Sequence, residues 1–88
     1  MFGDRKTERF HDGERIKQWQ PFEAVAHRRL DQVMAAADLG DLSSPGNNLE
    51  KLKGDLKDYW SVRINDQWRI IFKWGKNGAM DIKITDYH

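Results

Sequence analysis

The stretch YWSVRINDQWRIIFKW, residues 59–74, decides the fold class because its apolar side chains recur at every second position. Successive side chains of a β-strand point to opposite faces, so this period predicts two strands, each with one apolar face. Asp66 and Gln67 lie between the two strands, where a tight hairpin loop is needed. The predicted inward side chains are Trp60, Val62, Ile64, Trp68, Ile70, Phe72 and Trp74.

A third strand follows from the residues downstream. GKNG, residues 75–78, is a turn signal because Gly and Asn tolerate positive φ angles. The segment AMDIKITDYH, residues 79–88, then alternates again, with Met80, Ile82 and Ile84 predicted inward. Three antiparallel strands would therefore bury one face, while the opposite face carries four cations: Arg63, Arg69, Lys73 and Lys83.

The first half of the chain has the period of helices. DRKTERFHDG, residues 4–13, predicts a short helix with Asp4 as its N-cap and Gly13 as its end. A longer helix is predicted from Pro21 to about Gly40, and SSPGNN, residues 43–48, is a loop by composition. The apolar stripe of the long helix comprises Phe22, Val25, Ala26, Leu30, Val33, Met34 and Ala37. The fold class is α+β, with N-terminal helices on one face of a three- to four-stranded, mainly antiparallel sheet.

Length and composition limit the class of protein. A chain of 88 residues has room for one modest core, so residues 1–88 are expected to form a single domain. There is no cysteine and no apolar run long enough to cross a membrane, which favours a cytoplasmic protein. Residues 1–50 carry seven Lys/Arg against nine Asp/Glu, whereas residues 51–88 carry eight against five. The basic excess therefore lies in the predicted sheet.

Four cations on one sheet face are explained most simply as the solvated face of a β-meander, and the alternative is a basic surface that could hold a phosphate backbone. Tyr59 and Ile71 on the same face weaken the solvated interpretation slightly, because an aromatic ring among cations can stack on a base. The three histidines are scattered without the spacing of a metal site, and no cofactor is expected. The serines lack a neighbouring His, so a serine nucleophile is not indicated.

Two short motifs carry groups suited to RNA cleavage: LKGD, residues 52–55, and DYH, residues 86–88. A lysine stabilises the negative charge of a phosphoryl-transfer transition state, and a histidine moves protons near neutral pH. Cleavage without a metal needs a base for the 2′-hydroxyl and an acid for the departing 5′-oxygen. Each residue also has a structural explanation, as a solvated strand end for Lys53 and a frayed terminus for His88.

The ordered set LKGD, YWSVRI, WRIIF and DYH resembles the HigB-type toxins of bacterial toxin–antitoxin systems, within the RelE/ParE superfamily. The resemblance covers nearly the whole chain. It implies a ribosome-dependent mRNA endonuclease that cuts the codon in the ribosomal A site without a metal. It also implies silencing by a cognate helix-turn-helix antitoxin of the HigA type, with a monomeric toxin that forms oligomers through its antitoxin.

The resemblance further implies roles for individual residues. Lys53 and Arg69 would hold or neutralise the scissile phosphate, while Asp86, Tyr87 and His88 would form the terminal catalytic group. Contacts to ribosomal RNA are expected at three basic residues of the sheet, an inference from face and charge: Arg63, Lys73 and Lys83.

Two features depart from the family pattern. HigB relatives can carry a His three positions before the LKGD lysine, where this chain has Glu50. Glu50 would act as a general base if burial made its carboxylate more basic; alternatively, cleavage would be weaker and His88 would carry out the proton transfer. The family usually opens with a short strand before the first helix, whereas two residues, MF, stand here, so that strand is expected to be missing or stunted and a sheet edge less covered.

The alternation of the last strand adds a separate constraint. Asp86 and His88 fall on the same face as the inward residues, whereas Tyr87 falls on the opposite face, so the tail must twist or leave the sheet if all three act together.

Two other functions stay open at this point. One is a toxin of the ParE type, which acts on DNA gyrase and needs no proton-transfer groups. The other is an inactive relative that still binds an antitoxin, an alternative that Glu50 and the short N-terminus support.

Overall fold

A computed structural model describes residues 1–86 of the chain. Within this range two α-helices precede a four-stranded sheet with strand order β1-β2-β3-β4, in which all neighbours are antiparallel. The helices are α1 (Arg5–His11) and α2 (Glu23–Ala35), and the strands are β1 (Glu50–Lys51), β2 (Tyr59–Arg63), β3 (Trp68–Gly75) and β4 (Gly78–Asp86). Short 3-10 turns lie at Lys17–Phe22, Leu39–Leu42, Pro45–Asn47 and Gly54–Leu56. The predicted α+β class is confirmed.

The core lies between the two helices and one face of the sheet, and the period-two pattern explains which residues fill it. Val62, Ile70 and Phe72 are fully buried on that face. They belong to one cluster with the following residues from the helical half: Phe10, Ile16, Trp19, Ala26, Leu30, Val33 and Leu42. Burial of side chains this large is the main stabilising term for a domain of this size. The opposite face of the sheet is not covered by either helix, and we call it the outer face.

Helix α1 begins and ends as predicted. The Asp4 carboxylate accepts a hydrogen bond of 2.8 Å from the Thr7 amide, and Gly13 adopts a φ of 105° just beyond the helix. Near its end Arg9 donates to Glu14 at 2.5 Å. This hydrogen bond lowers the pKa of Glu14 and raises the pKa of Arg9. Both side chains are exposed, so the pair belongs to the surface of the helical layer.

The predicted end of the long helix is wrong. Helix α2 stops at Ala35, and Ala36 is extended with a ψ of 127°. Asp38 and Asp41 form a capping box that starts a new 3-10 turn, and the Asp41 carboxylate also accepts from the Ala37 amide at 2.9 Å. These local hydrogen bonds compete successfully with continuation of the helix. Ala37, which was assigned to the apolar stripe, is exposed.

One predicted core residue of the last strand is also wrong. Met80 is 44% exposed, because strand β4 contains a bulge. Lys83 pairs with Ile71, whereas Met80 pairs with Lys73, and Asp81 between them has a φ of 51°. The extra residue reverses the alternation, so Met80 faces outward. The hairpin turn at residues 75–78 is confirmed, with Gly78 at a φ of 100°.

The free edge of β4 is covered by the N-terminal segment. Phe2 forms a one-residue parallel bridge with Ile82, in which the Ile82 amide donates to the Met1 carbonyl at 3.1 Å and Gly3 donates to the Ile82 carbonyl at 2.8 Å. Two residues along, the Ile84 amide donates to the Thr7 hydroxyl at 3.0 Å. The first strand, which was expected to be missing or stunted, is therefore reduced to this one-residue bridge. The expectation of a less covered edge is wrong at these positions, because α1 and the bridge satisfy the edge amides.

We expect Thr7→Val to destabilise the fold by about 1–3 kcal/mol, since the buried Ile84 amide would lose its acceptor. Urea unfolding measures the loss, and hydrogen exchange at the Ile84 amide locates it. Thr7→Ser is the matched control, because it keeps the hydroxyl and should keep that amide protected. Equal Ile84 protection in the Val and Ser variants would show that the hydroxyl is unimportant.

Candidate functional site

The outer face of the sheet carries the cations that the alternation assigned to it. Strand register places Arg63 beside Arg69, Tyr59 beside Lys73, and Ile71 beside Lys83. Cross-strand partners share a face, so these side chains form one continuous surface. We define the outer face by the following residues: Glu50, Tyr59, Ser61, Arg63, Arg69, Ile71, Lys73, Met80, Lys83 and Thr85. The predicted placement of the four cations is confirmed.

Arg69 lies at the centre of this surface, and among the described residues Ser61, Asn48 and Glu50 contact its guanidinium. Its Nη1 donates to the Ser61 hydroxyl at 2.9 Å and reaches the Asn48 carbonyl at 3.5 Å. Its Nη2 lies 3.8 Å from a carboxylate oxygen of Glu50. The side chain is 11% exposed, so the guanidinium is oriented but still reachable from solvent. A fixed guanidinium of this kind suits recognition of a phosphate.

Ser61 is the site residue that sequence reasoning missed. It was considered there as a nucleophile, whereas its fully buried hydroxyl accepts a hydrogen bond from Arg69. The signal was present in the sequence, since the alternation places Ser61 and Arg69 on the same face of adjacent strands. A small polar residue there leaves room for the long arginine and orients it.

Glu50 lies beside Arg69 at the β1 edge of the sheet, and Lys53 follows strand β1 along the chain, just before the 3-10 turn at Gly54–Leu56. Both line a surface pocket of about 240 Å³, together with Lys51, Leu52 and Leu56. Glu50 is thus the link between Lys53 and Arg69, since it borders the pocket and pairs with the guanidinium. Its side chain is 43% exposed, so the burial that a strongly basic carboxylate would need is not present.

Asp86 ends the described part of β4 and pairs with Trp68, the sequence neighbour of Arg69. Asp86 therefore falls at a core-facing position of the strand alternation. Its carboxylate accepts a hydrogen bond of 3.0 Å from the side-chain amide of Gln67. The cross-strand partner of Arg69 itself is Thr85. Tyr87 and His88, which were assigned to the terminal catalytic group, lie outside the described residues. Asp86 therefore lies one residue beyond the cross-strand partner of Arg69.

The three predicted RNA-contacting residues differ in their electrostatic surroundings. Arg63 forms an ion pair with Asp66, and Lys73 lies 3.5 Å from the Asp81 carboxylate. Within residues 1–86 no ion pair involves Lys83, whose ammonium lies 5.4 Å from the centre of the Tyr59 ring. An anion approaching the outer face would thus meet the least compensated charge at Lys83.

In the part of the chain described, no group of three or more His, Asp or Glu side chains is placed to hold a metal ion. None of the helices there is long and apolar enough to cross a membrane.

Comparison with known sequences identifies relatives over most of the chain. The toxin HigB-1 of Vibrio cholerae serotype O1 is 37% identical over 83 residues, which are 91% of this chain and 87% of that protein. Endoribonuclease HigB of Proteus vulgaris is 35% identical over 60 residues, which are 68% of this chain and 65% of that protein.

The fold is also found in a solved structure. A chain of the YoeB-YefM complex from Staphylococcus aureus superposes with a TM-score of 0.60, covering 100% of this chain and 93% of that one at 24% identity. The characteristic sequence pattern of HigB-like toxins, described as RelE-like toxins of type II toxin–antitoxin systems, matches residues 1–88. The predicted family is therefore confirmed: the chain belongs to the HigB-like family of RelE-like toxins from type II toxin–antitoxin systems.

Proposed function

We propose that this toxin is an mRNA endonuclease that cuts its substrate on the ribosome by attack of the 2′-hydroxyl, without a metal ion. The observation that carries the proposal is the arrangement around Arg69. A guanidinium held by Ser61 lies beside Glu50, with Lys53 on the same pocket as that carboxylate. The predicted class of enzyme, an endoribonuclease, is supported by the family and by the name of the Proteus vulgaris relative.

The reaction needs a cation for the phosphate and groups that move two protons. The 2′-oxygen loses its proton to a base and attacks the adjacent phosphorus, the bond from phosphorus to the 5′-oxygen breaks, and an acid protonates that oxygen. The products are a 2′,3′-cyclic phosphate and a 5′-hydroxyl. Negative charge develops on the non-bridging oxygens, and cations aimed at them lower the barrier.

Arg69 and Lys53 are assigned to those oxygens. Arg69 is preoriented by Ser61, so little reorganisation is needed when the phosphate arrives. Lys53 is exposed and precedes the 3-10 turn at Gly54–Leu56, which leaves its side chain able to follow the substrate.

Proton transfer is assigned to the end of the chain and to Glu50. Asp86, Tyr87 and His88 would form the terminal group, which directly follows Thr85, the cross-strand partner of Arg69. Glu50 is ion-paired and partly exposed, so its main assigned role is to orient Arg69. Accepting the 2′-hydroxyl proton is its secondary role.

The remaining predictions concern the cell. The proposed partners are the ribosome, mRNA and a helix-turn-helix antitoxin, and the proposed compartment is the cytoplasm. The solved structural relative is a complex of YoeB with YefM, which supports an antitoxin partner for this chain. Residues 1–88 are proposed to act as one domain, in keeping with the single core cluster of the described residues.

Purified toxin mixed with ribosomes that translate a defined mRNA tests the proposal. Cleavage within codons that leaves 2′,3′-cyclic phosphate and 5′-hydroxyl ends is the expected result. A parallel assay follows supercoiling by DNA gyrase. Loss of supercoiling with intact mRNA would instead assign the chain to the ParE type of action, and inactivity in both assays would mark an inactive relative.

We expect Arg69→Ala to slow single-turnover cleavage by about 100-fold, the order found when one donor to a transition state is lost. Ser61→Ala should have a smaller effect in the same direction, because it only frees the guanidinium. If Ser61 acts through Arg69, the double variant will be no slower than Arg69→Ala alone.

The control for these variants is Arg28→Ala, an exposed arginine on α2 in the layer opposite the outer face. It should cleave at the normal rate. An additive loss in the double variant would contradict the assignment of Ser61 as a positioning residue.

A chain that ends at Asp86 tests the terminal group. Because terminal residues contribute few core contacts, we expect deletion of residues 87–88 to relieve growth inhibition while the thermal unfolding midpoint stays within a few degrees. Undiminished toxicity of the shortened chain would remove Tyr87 and His88 from the mechanism.

A further inference from the structure

The Tyr59 ring is a point on the outer face where two lysines converge. Tyr59 begins β2 and pairs in register with Lys73 of β3. The ammonium groups of Lys73 and Lys83 each lie 5.4 Å from the centre of the ring. The lysines come from two different strands, so the sheet itself places both charges at one half-buried aromatic side chain.

Neighbouring residues hold both lysines in place. The Lys73 ammonium lies 3.5 Å from the Asp81 carboxylate, and Asp81 is the residue at the bulge of β4. The stem of Lys83 runs so close to Gly3 that a Cβ at that glycine would lie 2.6 Å from the lysine Cε. The N-terminal bridge thus restrains the Lys83 side chain across its aliphatic part. Restrained charges lose less conformational entropy on binding than free ones.

An aromatic ring beside two ammonium groups has the chemistry of a nucleotide site, with the ring for the base and the ammoniums for the phosphates. A base that stacks on an aromatic side chain gains about 5- to 150-fold in affinity. An exposed cation–π contact is worth about 2- to 5-fold, so a base that displaces one ammonium group from the ring face gains at least as much as is lost, while the lysine stem stays in place.

The position of Tyr59 relates this site to Arg69. Tyr59 and Ser61 are two residues apart on the same face, a distance of about 6.6 Å along the strand. Ser61 in turn holds Arg69. A base on the ring would therefore lie next to a phosphate on the guanidinium.

We propose that Tyr59 is the stacking platform for a base of the bound mRNA, with Lys73 and Lys83 binding the phosphates that flank it. The inference rests on the proposed function for the identity of the ligand, and it adds a specificity-determining contact that is separate from the groups that transfer protons.

The first experiment measures binding without cleavage, by fluorescence anisotropy with a single-stranded 2′-O-methyl oligoribonucleotide, which lacks the nucleophile. We expect Tyr59→Leu to weaken binding at least 5-fold and Tyr59→Phe to stay within about 2-fold of the parent. An oligonucleotide with abasic positions should bind the parent more weakly but should bind Tyr59→Leu as the intact one does.

Salt dependence separates the ring from the lysines. Lys83→Ala should reduce the slope of log affinity against log salt by about 0.7, as loss of one contact to a single-stranded phosphate does. Tyr59→Leu should leave the slope unchanged. Lys76→Ala, an exposed lysine in the turn between β3 and β4, is the matched control and should change neither quantity.

Three results would overturn the proposal: equal binding by the Leu and Phe variants, equal binding of intact and abasic RNA by the parent, or no binding by the parent at low salt. If the outer face binds an antitoxin peptide but no RNA, the proposal is likewise overturned. Ribosomal cleavage is measured separately. Stacking without cleavage would refute the proposed function alone, and cleavage without stacking would refute the role of Tyr59 alone.

Discussion

The register between β2 and β3 is the constraint on which the rest of the structure depends. It places Val62 beside Ile70 on the core face and Arg63 beside Arg69 on the outer face. A slip by one residue would exchange the two faces, moving cations into the core and apolar side chains into solvent. The register is fixed locally by Asn65, whose side chain accepts from the amides of Gln67 and Trp68 at 2.8 Å. The core and the candidate site thus share one determinant.

The outer face is more than the solvated side of a sheet. Ser61 is fully buried there and Ile71 is 4% exposed. Long basic side chains cover apolar surface with their stems while their charges stay in water. Carboxylates balance part of that charge, as Asp66 does for Arg63 and Asp81 does for Lys73. The surface therefore stays compatible with a stable fold while keeping its cations at the water boundary.

The sequence predicted the parts of the fold that rest on local pattern. Strand alternation, the turn at residues 75–78 and the Asp4 cap are set by neighbouring residues, and all are present. The errors arise where one residue breaks a period. Asp81 adopts a left-handed conformation and turns Met80 outward, and a capping box ends α2 early. The bulge and the capping box both leave the spacing of the apolar residues almost unchanged, so the hydrophobic pattern alone does not predict them.

For the site, the pattern of alternation placed all four cations correctly, but it gave no role to Ser61. That role depends on a diagonal contact between strands, which the period alone does not specify.

The site residues differ in how firmly the fold holds them. Arg69 lies on β3, which is paired on both sides, and its side chain contacts Asn48, Ser61 and Glu50. Glu50 lies on a two-residue edge strand, and Lys53 lies beyond it before a turn. Backbone that is paired on both sides opens rarely, whereas short edges and turns open more readily. Under the proposed function, the scissile phosphate would bind a guanidinium that the fold already holds, and adjustment to different RNA sequences would fall to the residues at the edge.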